Sequence, residues 1–300
     1  MIPTRLRFAL ALPLILGALG AATPAVAGDS PFGYVYTTDT HGKGQWEVEQ
    51  WVTNRKGQSQ GDYNAWLSRT EIEYGVTDDL QTSLYLNVDR VNAYRNRADG
   101  TTGPGAFIPD NVDPDSRYKR TFFESISNEW IYRILSPYKD PIGLAIYFEP
   151  SYGEQKRELE GKIIVQKNFL DDRLVWAANF TLEYEKTRFH GEWEKETEVE
   201  FTTGLAYRFA NHWNGGLEYR RRTAYQDYGV KTDQRAFANN YFGPSLHYAD
   251  KNWWATVTYL TQLGNAKGYN DATRSDIIGG RFYGEDAERR ELRLRVGFNF

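Results

Sequence analysis

The last nine residues set the pattern for the whole chain. In Leu292-Arg293-Leu294-Arg295-Val296-Gly297-Phe298-Asn299-Phe300 every even position is apolar and every odd one is polar or glycine. A strand points successive side chains to opposite faces, so this run has one oily face and one polar face. The alternation recurs upstream. Leu80, Thr82, Leu84, Leu86 and Val88 alternate with Gln81, Ser83, Tyr85 and Asn87. Leu174, Trp176, Ala178, Phe180, Leu182 and Tyr184 alternate with Asn179, Thr181, Glu183 and Glu185. Val199, Phe201, Thr203, Leu205, Tyr207 and Phe209 alternate with Glu198, Glu200, Thr202, Gly204 and Arg208.

The pattern predicts about twelve strands, near 44–55, 64–75, 80–89, 120–135, 142–152, 158–169, 174–186, 193–209, 213–225, 239–248, 253–263 and 288–300. The connections alternate between short turns (76–79, 136–141, 170–173, 210–212, 249–252) and mostly longer loops (56–63, 90–119, 153–157, 187–192, 226–238, 264–287). Strands of about ten residues with one apolar face, short turns at one end and longer loops at the other describe a transmembrane barrel. In hydrocarbon an unpaired sheet edge is too costly to keep, so such a sheet must close. The expected fold is therefore all-β: an antiparallel up-and-down transmembrane β-barrel with short periplasmic turns, longer extracellular loops and both termini in the periplasm. A large water-soluble sandwich is the alternative. The abundant aromatics, the export signal and the terminal Phe300 count against it.

Composition sharpens this picture. Mean hydropathy is −0.65, yet 15% of the 300 residues are aromatic, including 21 Tyr and 9 Trp. Polarity with many aromatics suits a barrel whose interface girdles are built from Trp and Tyr. Arg5 and Arg7, the apolar run 8–19 and Ala25-Val26-Ala27 read as a secretory signal cleaved after residue 27. Beyond it no apolar stretch is long enough for a membrane helix. The chain has no Cys, which excludes disulfides, thiolate metal sites and a lipid-anchored N-terminus. A net charge of −4 argues against nucleic acid as a partner. Residues 28–43 form a separate segment, a periplasmic tail, a lumen plug or a partial strand at Gly33–Thr37, and 44–300 form the barrel.

Lys43-Gly44-Gln45-Trp46-Glu47, with Phe32-Gly33-Tyr34 before it and Gln50-Trp51-Val52-Thr53 after it, resembles the opening of a domain-of-unknown-function family of Gram-negative outer-membrane barrels. Glu71-Ile72-Glu73-Tyr74-Gly75-Val76-Thr77-Asp78 before a tight turn carries the same resemblance. At greater distance the chain is similar to barrels named for the MetA pathway of phenol degradation. The resemblance implies a barrel and no catalytic residues. The C-terminal strand ending in Phe300 resembles the signal read by the barrel assembly machinery, which makes that machinery an expected partner.

The polar faces carry the candidate chemistry. Glu47 and Glu49, then Arg69, Glu71 and Glu73, then Glu183 and Glu185, then Glu196, Glu198 and Glu200 fall on presumptive lumen faces. Arg208, Glu218, Arg220, Arg222, Arg293 and Arg295 join them. Such rows either line a wet, charge-selective channel or pair across it as a filling network, and twelve strands lie between filled and open barrels. The expected activity is passive passage of small polar or amphipathic solutes, without cofactor, metal or covalent chemistry. The alternatives are an occluded structural barrel and an outer-membrane lipid hydrolase. The hydrolase needs a nucleophile bonded to a base, and of His41, His190, His212 and His247 only His247 shares a strand face with a serine, Ser245. At i, i+2 the two stand about 7 Å apart. Asp110, Asp113 and Asp115 suggest Ca²⁺ only by their number and lack an EF-hand spacing. Membrane lipid and lipopolysaccharide are expected partners, with Arg221 placed to meet lipid phosphates.

Overall fold

In the computed structural model, which describes residues 30–103, 108, 112–189, 192–267, 277–278, 281–282 and 287–300, twelve strands close into one antiparallel barrel. They are β1 (Trp46–Lys56), β2 (Asp62–Gly75), β3 (Leu80–Tyr94), β4 (Tyr118–Leu135), β5 (Gly143–Tyr152), β6 (Lys156–Phe169), β7 (Leu174–Phe189), β8 (Glu192–Ala210), β9 (Trp213–Gln226), β10 (Arg235–Ala249), β11 (Trp253–Lys267) and β14 (Arg290–Asn299). Two-residue strands β12 (Ile277–Ile278) and β13 (Arg281–Phe282) pair apart from the wall. Each wall strand pairs with its sequence neighbour, and β14 returns to β1 with Trp51 opposite Arg295 and Glu47 opposite Asn299.

The strand faces follow the alternation. On β3, Ser83, Tyr85 and Asn87 are buried, while Leu84 and Leu86 stay 47% and 49% exposed. A soluble sheet buries its leucines; this one buries its polar face. Aromatic rings gather at the short-turn end, where Trp46 stacks on Tyr74 (4.5 Å between centroids) and Tyr248 packs between Trp213 and Trp253 (4.9 and 5.0 Å). That girdle is the interface mark of a membrane barrel. The turns there are tight: Leu170, Asp171 and Asp172 are all left-handed, with φ of 57°, 52° and 57°.

Two details differ from the sequence reading. Several strands run further out than the lipid pattern does, β3 to Tyr94, β11 to Lys267, and β10 from Arg235. Above the membrane a hairpin needs no apolar face to keep its backbone bonds, so periodicity misses that part. Part of the loop after β3, expected as an extracellular loop, packs against the wall. Ile108 is fully buried with Tyr63, Ala65, Val91 and Ala93. Asn96 donates to Gln58 (2.7 Å) and accepts from the Gly103 N–H (3.0 Å). Asp113 accepts from Asp115 N–H and Ser116 Oγ (3.0 and 2.5 Å), which holds its carboxyl below the usual range. Asp110, His190 and the signal segment 1–27 lie outside the described residues.

Leu294 lies mid-strand on the lipid face, opposite Val52 and Val257. Leu294→Arg is expected to destabilise the barrel by about 2–4 kcal/mol, the cost of a cation near the bilayer centre. Urea titration of folding into lipid vesicles measures it.

Candidate functional site in the barrel lumen

Residues 30–41 cross the inside of the barrel as a bent segment with no strand partner among the described residues, and wall side chains serve its backbone. The N–H groups of Gly33 and Tyr34 donate to the two oxygens of Glu218 on β9 (2.8 Å each). Tyr36 N–H donates to Asn179 on β7 (2.7 Å), whose amide returns a bond to the Tyr36 carbonyl (2.9 Å). Thr38 N–H donates to Gln166 on β6 (2.7 Å), and His41 N–H to Gln81 on β3 (3.0 Å). Arg293 and Arg295 donate to the carbonyls of Gly33 and Phe32. Buried backbone groups need partners, and here carboxylate, carboxamide and guanidinium groups take the place of a neighbouring strand.

Phe32 anchors the segment. Its ring is fully buried against Ala177, Ala206 and Val175. Small wall residues make the room: a Cβ on Gly204 would sit 2.6 Å from the ring.

On the long-loop side of the segment the lumen widens into a cavity of about 910 Å³ whose floor is Tyr34, Tyr36 and Trp51. Cations lie over those rings: Arg293 at 3.9 Å from the Tyr34 centroid, Arg295 at 4.0 Å from Trp51, and Lys162 at 4.7 Å from Tyr36. Such contacts gain strength when shielded from water.

The cavity wall is polarised. Glu158, Glu185 and Glu196 lie in register across β6, β7 and β8, and so do Glu160, Glu183 and Glu198. Bases border this carboxylate grid. Arg222 grips Glu198 with two bonds (2.7 and 2.6 Å). Arg220 joins Glu200 (2.6 Å) to Glu291 (2.8 Å). Lys156 meets Glu158 and Glu185 (2.7 and 2.8 Å), and Lys162 pairs with Glu160. Acid dominates β6–β8; β9, β14 and β1 carry Arg220, Arg222, Arg293 and Arg55.

Residues 24–300 match the profile of the family of unknown function DUF6662. The chain belongs to that family. Among solved structures, the COG4313 outer membrane channel from Pseudomonas putida F1 superposes with a TM-score of 0.59 at 8% identity, over 88% of this chain and 98% of that one. The NanC porin superposes at 0.50 and 10% identity, over 84% and 98%. At such identities the likeness speaks for the fold, an outer-membrane-type barrel. No curated protein matches the sequence significantly.

In this DUF6662 chain the residues singled out by charge fall into two tiers. Glu183, Glu185, Glu196, Glu198, Glu200, Arg220 and Arg222 line the wide cavity, with Arg69 and Arg293 near its floor. Glu47, Glu49, Glu71, Glu73, Glu218 and Arg295 are buried around the crossing segment. Arg208 belongs to neither: it sits exposed beside the irregularity that ends β8 at the short-turn end. Charge alone missed the carboxamides Gln81, Gln166 and Asn179, and the β6 series Lys156, Glu158, Glu160, Lys162, whose alternation was open to reading. His247 bonds Thr256 Oγ1 (2.7 Å) and not Ser245, so the two do not make a nucleophile–base pair.

Glu218→Ala removes the acceptor of two buried N–H groups, each costing about 1–3 kcal/mol when left unpaired. Protease cleavage within residues 30–41 is expected to accelerate markedly, as it is in Gly204→Val, which blocks the Phe32 pocket. Both barrels should keep their heat-modifiable migration on gels.

Proposed function

We propose that this chain is an outer-membrane channel for small polar solutes, with residues 30–41 acting as a plug in its periplasmic half. The observation that carries the reading is the charged cavity of about 910 Å³ ending on a segment that is held by side chains and has no sheet partner among the described residues. Side-chain bonds can be exchanged one at a time, whereas leaving a sheet breaks a whole ladder, so this segment is the part suited to move. A carboxylate wall facing an arginine wall sets a field across the lumen. Field focusing in a narrow charged space selects solutes by charge and dipole, which favours zwitterionic or amphipathic molecules over plain anions. An aromatic solute has only the distant phenol-degradation resemblance behind it.

Export to the outer membrane belongs to the same proposal, as does recognition of β14 and Phe300 by the barrel assembly machinery. Lipopolysaccharide is proposed as the lipid partner on the long-loop side, at exposed cations such as Arg157. The second reading is a permanently occluded barrel. It is favoured by the near-complete burial of Phe32, Val35 and Thr38 and by the dense ion pairing around them. Lipid hydrolysis has no nucleophile–base pair to support it at Ser245 and His247.

Conductance in planar bilayers separates the readings. The full mature chain is expected to give small steps. Deletion of residues 30–41 should raise the step size several-fold, and Gln at Glu196, Glu198 and Glu200 should lower cation preference. Silence from both the full chain and the deletion variant would favour the occluded barrel.

A further inference from the structure

Where the crossing segment leaves the lumen, carboxylates outnumber cations. His41, Glu47 and Glu73 each place a donor atom within 4.8 Å of the others, and Glu49, Glu71 and Glu73 do the same. Glu73 belongs to both sets. All five residues are buried, none more than 6% exposed. The strand register sets Glu47 opposite Glu73 and Glu49 opposite Glu71, and like charges facing each other across strands are destabilising.

One of these carboxylates, Glu49, is held by a permanent cation, and Glu73 has an imidazole beside it. Arg295 grips Glu49 (2.8 and 3.2 Å), and the His41 Nε2 lies 3.1 Å from Glu73. Glu71 differs. At 1% exposure, its Oε2 has no hydrogen-bond partner among the described residues. A carboxylate taken from water and left uncompensated is strongly unfavourable. A pocket of about 20 Å³ borders Glu71, Glu73 and Arg295, and a cavity of that size holds one small species.

The surrounding bonds hold the candidate donors in place. The Gln81 carboxamide donates to Glu73 and accepts the His41 N–H (3.0 Å). Trp254 Nε1 donates to Glu47 Oε1 (3.0 Å). Outer bonds of this kind orient metal ligands and tune them. One imidazole nitrogen with several carboxylate oxygens suits a first-row divalent cation better than a hard, oxygen-only ion.

We propose that His41, Glu47 and Glu73, with Glu71 beside them, bind a divalent transition-metal cation of the zinc class. The ion would fasten the crossing segment, through His41, to β1 and β2. It would also add positive charge where carboxylates outnumber cations.

Zinc titration of the chelator-stripped mature protein in detergent tests the site, followed by X-ray absorption at the zinc edge. The expected result is one ion per chain with one imidazole in its first shell. Affinity should fall at least about tenfold in His41→Ala and in Glu73→Gln, since even outer-shell changes cost 10–100-fold. His212→Ala, in an exposed turn, should bind as the unaltered chain does. No saturable binding to the unaltered chain, unchanged affinity in His41→Ala, or equal competition by Ca²⁺ would each overturn the proposal. The titration reads binding alone, so it stands apart from any result on conductance.

Discussion

Backbone amides have nowhere to turn for water inside a bilayer, and this requirement organises the molecule at two scales. In the wall it demands a ladder without an edge, met when β14 returns to β1. Inside the wall it is met differently. A peptide segment crosses the lumen with no strand among the described residues to pair with, and Glu218, Asn179, Gln166 and Gln81 stand in for one. The barrel surface is cohesive by geometry; the segment is cohesive by a handful of named side chains. That difference sets the continuous ladder of the wall apart from a segment held bond by bond, on which the proposed plug role rests.

Charge inside the barrel follows from the same low-dielectric setting. A buried ion pair gives little net stability over an apolar replacement, but breaking one leaves a costly orphan. The network of Arg220 with Glu200 and Glu291, and of Arg222 with Glu198, therefore fixes the lumen's shape more than it deepens its stability. Its layout leaves acid on one side and base on the other. At the opposite end the balance fails around Glu71, and that local deficit motivates a bound cation.

The strand count and strand faces were legible because lipid imposes alternation on each strand separately. Leu292 to Phe300 shows it without reference to any other part of the chain. The outer strand extensions were not legible, since water imposes no such pattern there. The segment 28–43 was open to three readings for a related reason. Gly33–Thr37 reads as a strand by residue type, but the acceptors of its Gly33, Tyr34 and Tyr36 N–H groups are side chains 143 to 185 residues away. The clustering of His41 with Glu47 and Glu73 was likewise hidden. A lone histidine ahead of the first strand becomes a candidate ligand only once the segment turns into the lumen, so the sequence pointed to no metal. Arg208 shows the reverse error: it has the right parity for the lumen face but lies too near the strand end.

The proposed channel depends most on residues 33–41 being held inside the closed barrel by bonds to its wall. Amide hydrogen exchange of the folded mature protein, resolved by residue, tests this directly. Slow exchange is expected at Gly33, Tyr34, Tyr36, Thr38 and His41, far below that of the turns at 76–79 and 249–252. Exchange at those five amides as fast as in an unfolded peptide, with the wall strands still protected, would contradict it.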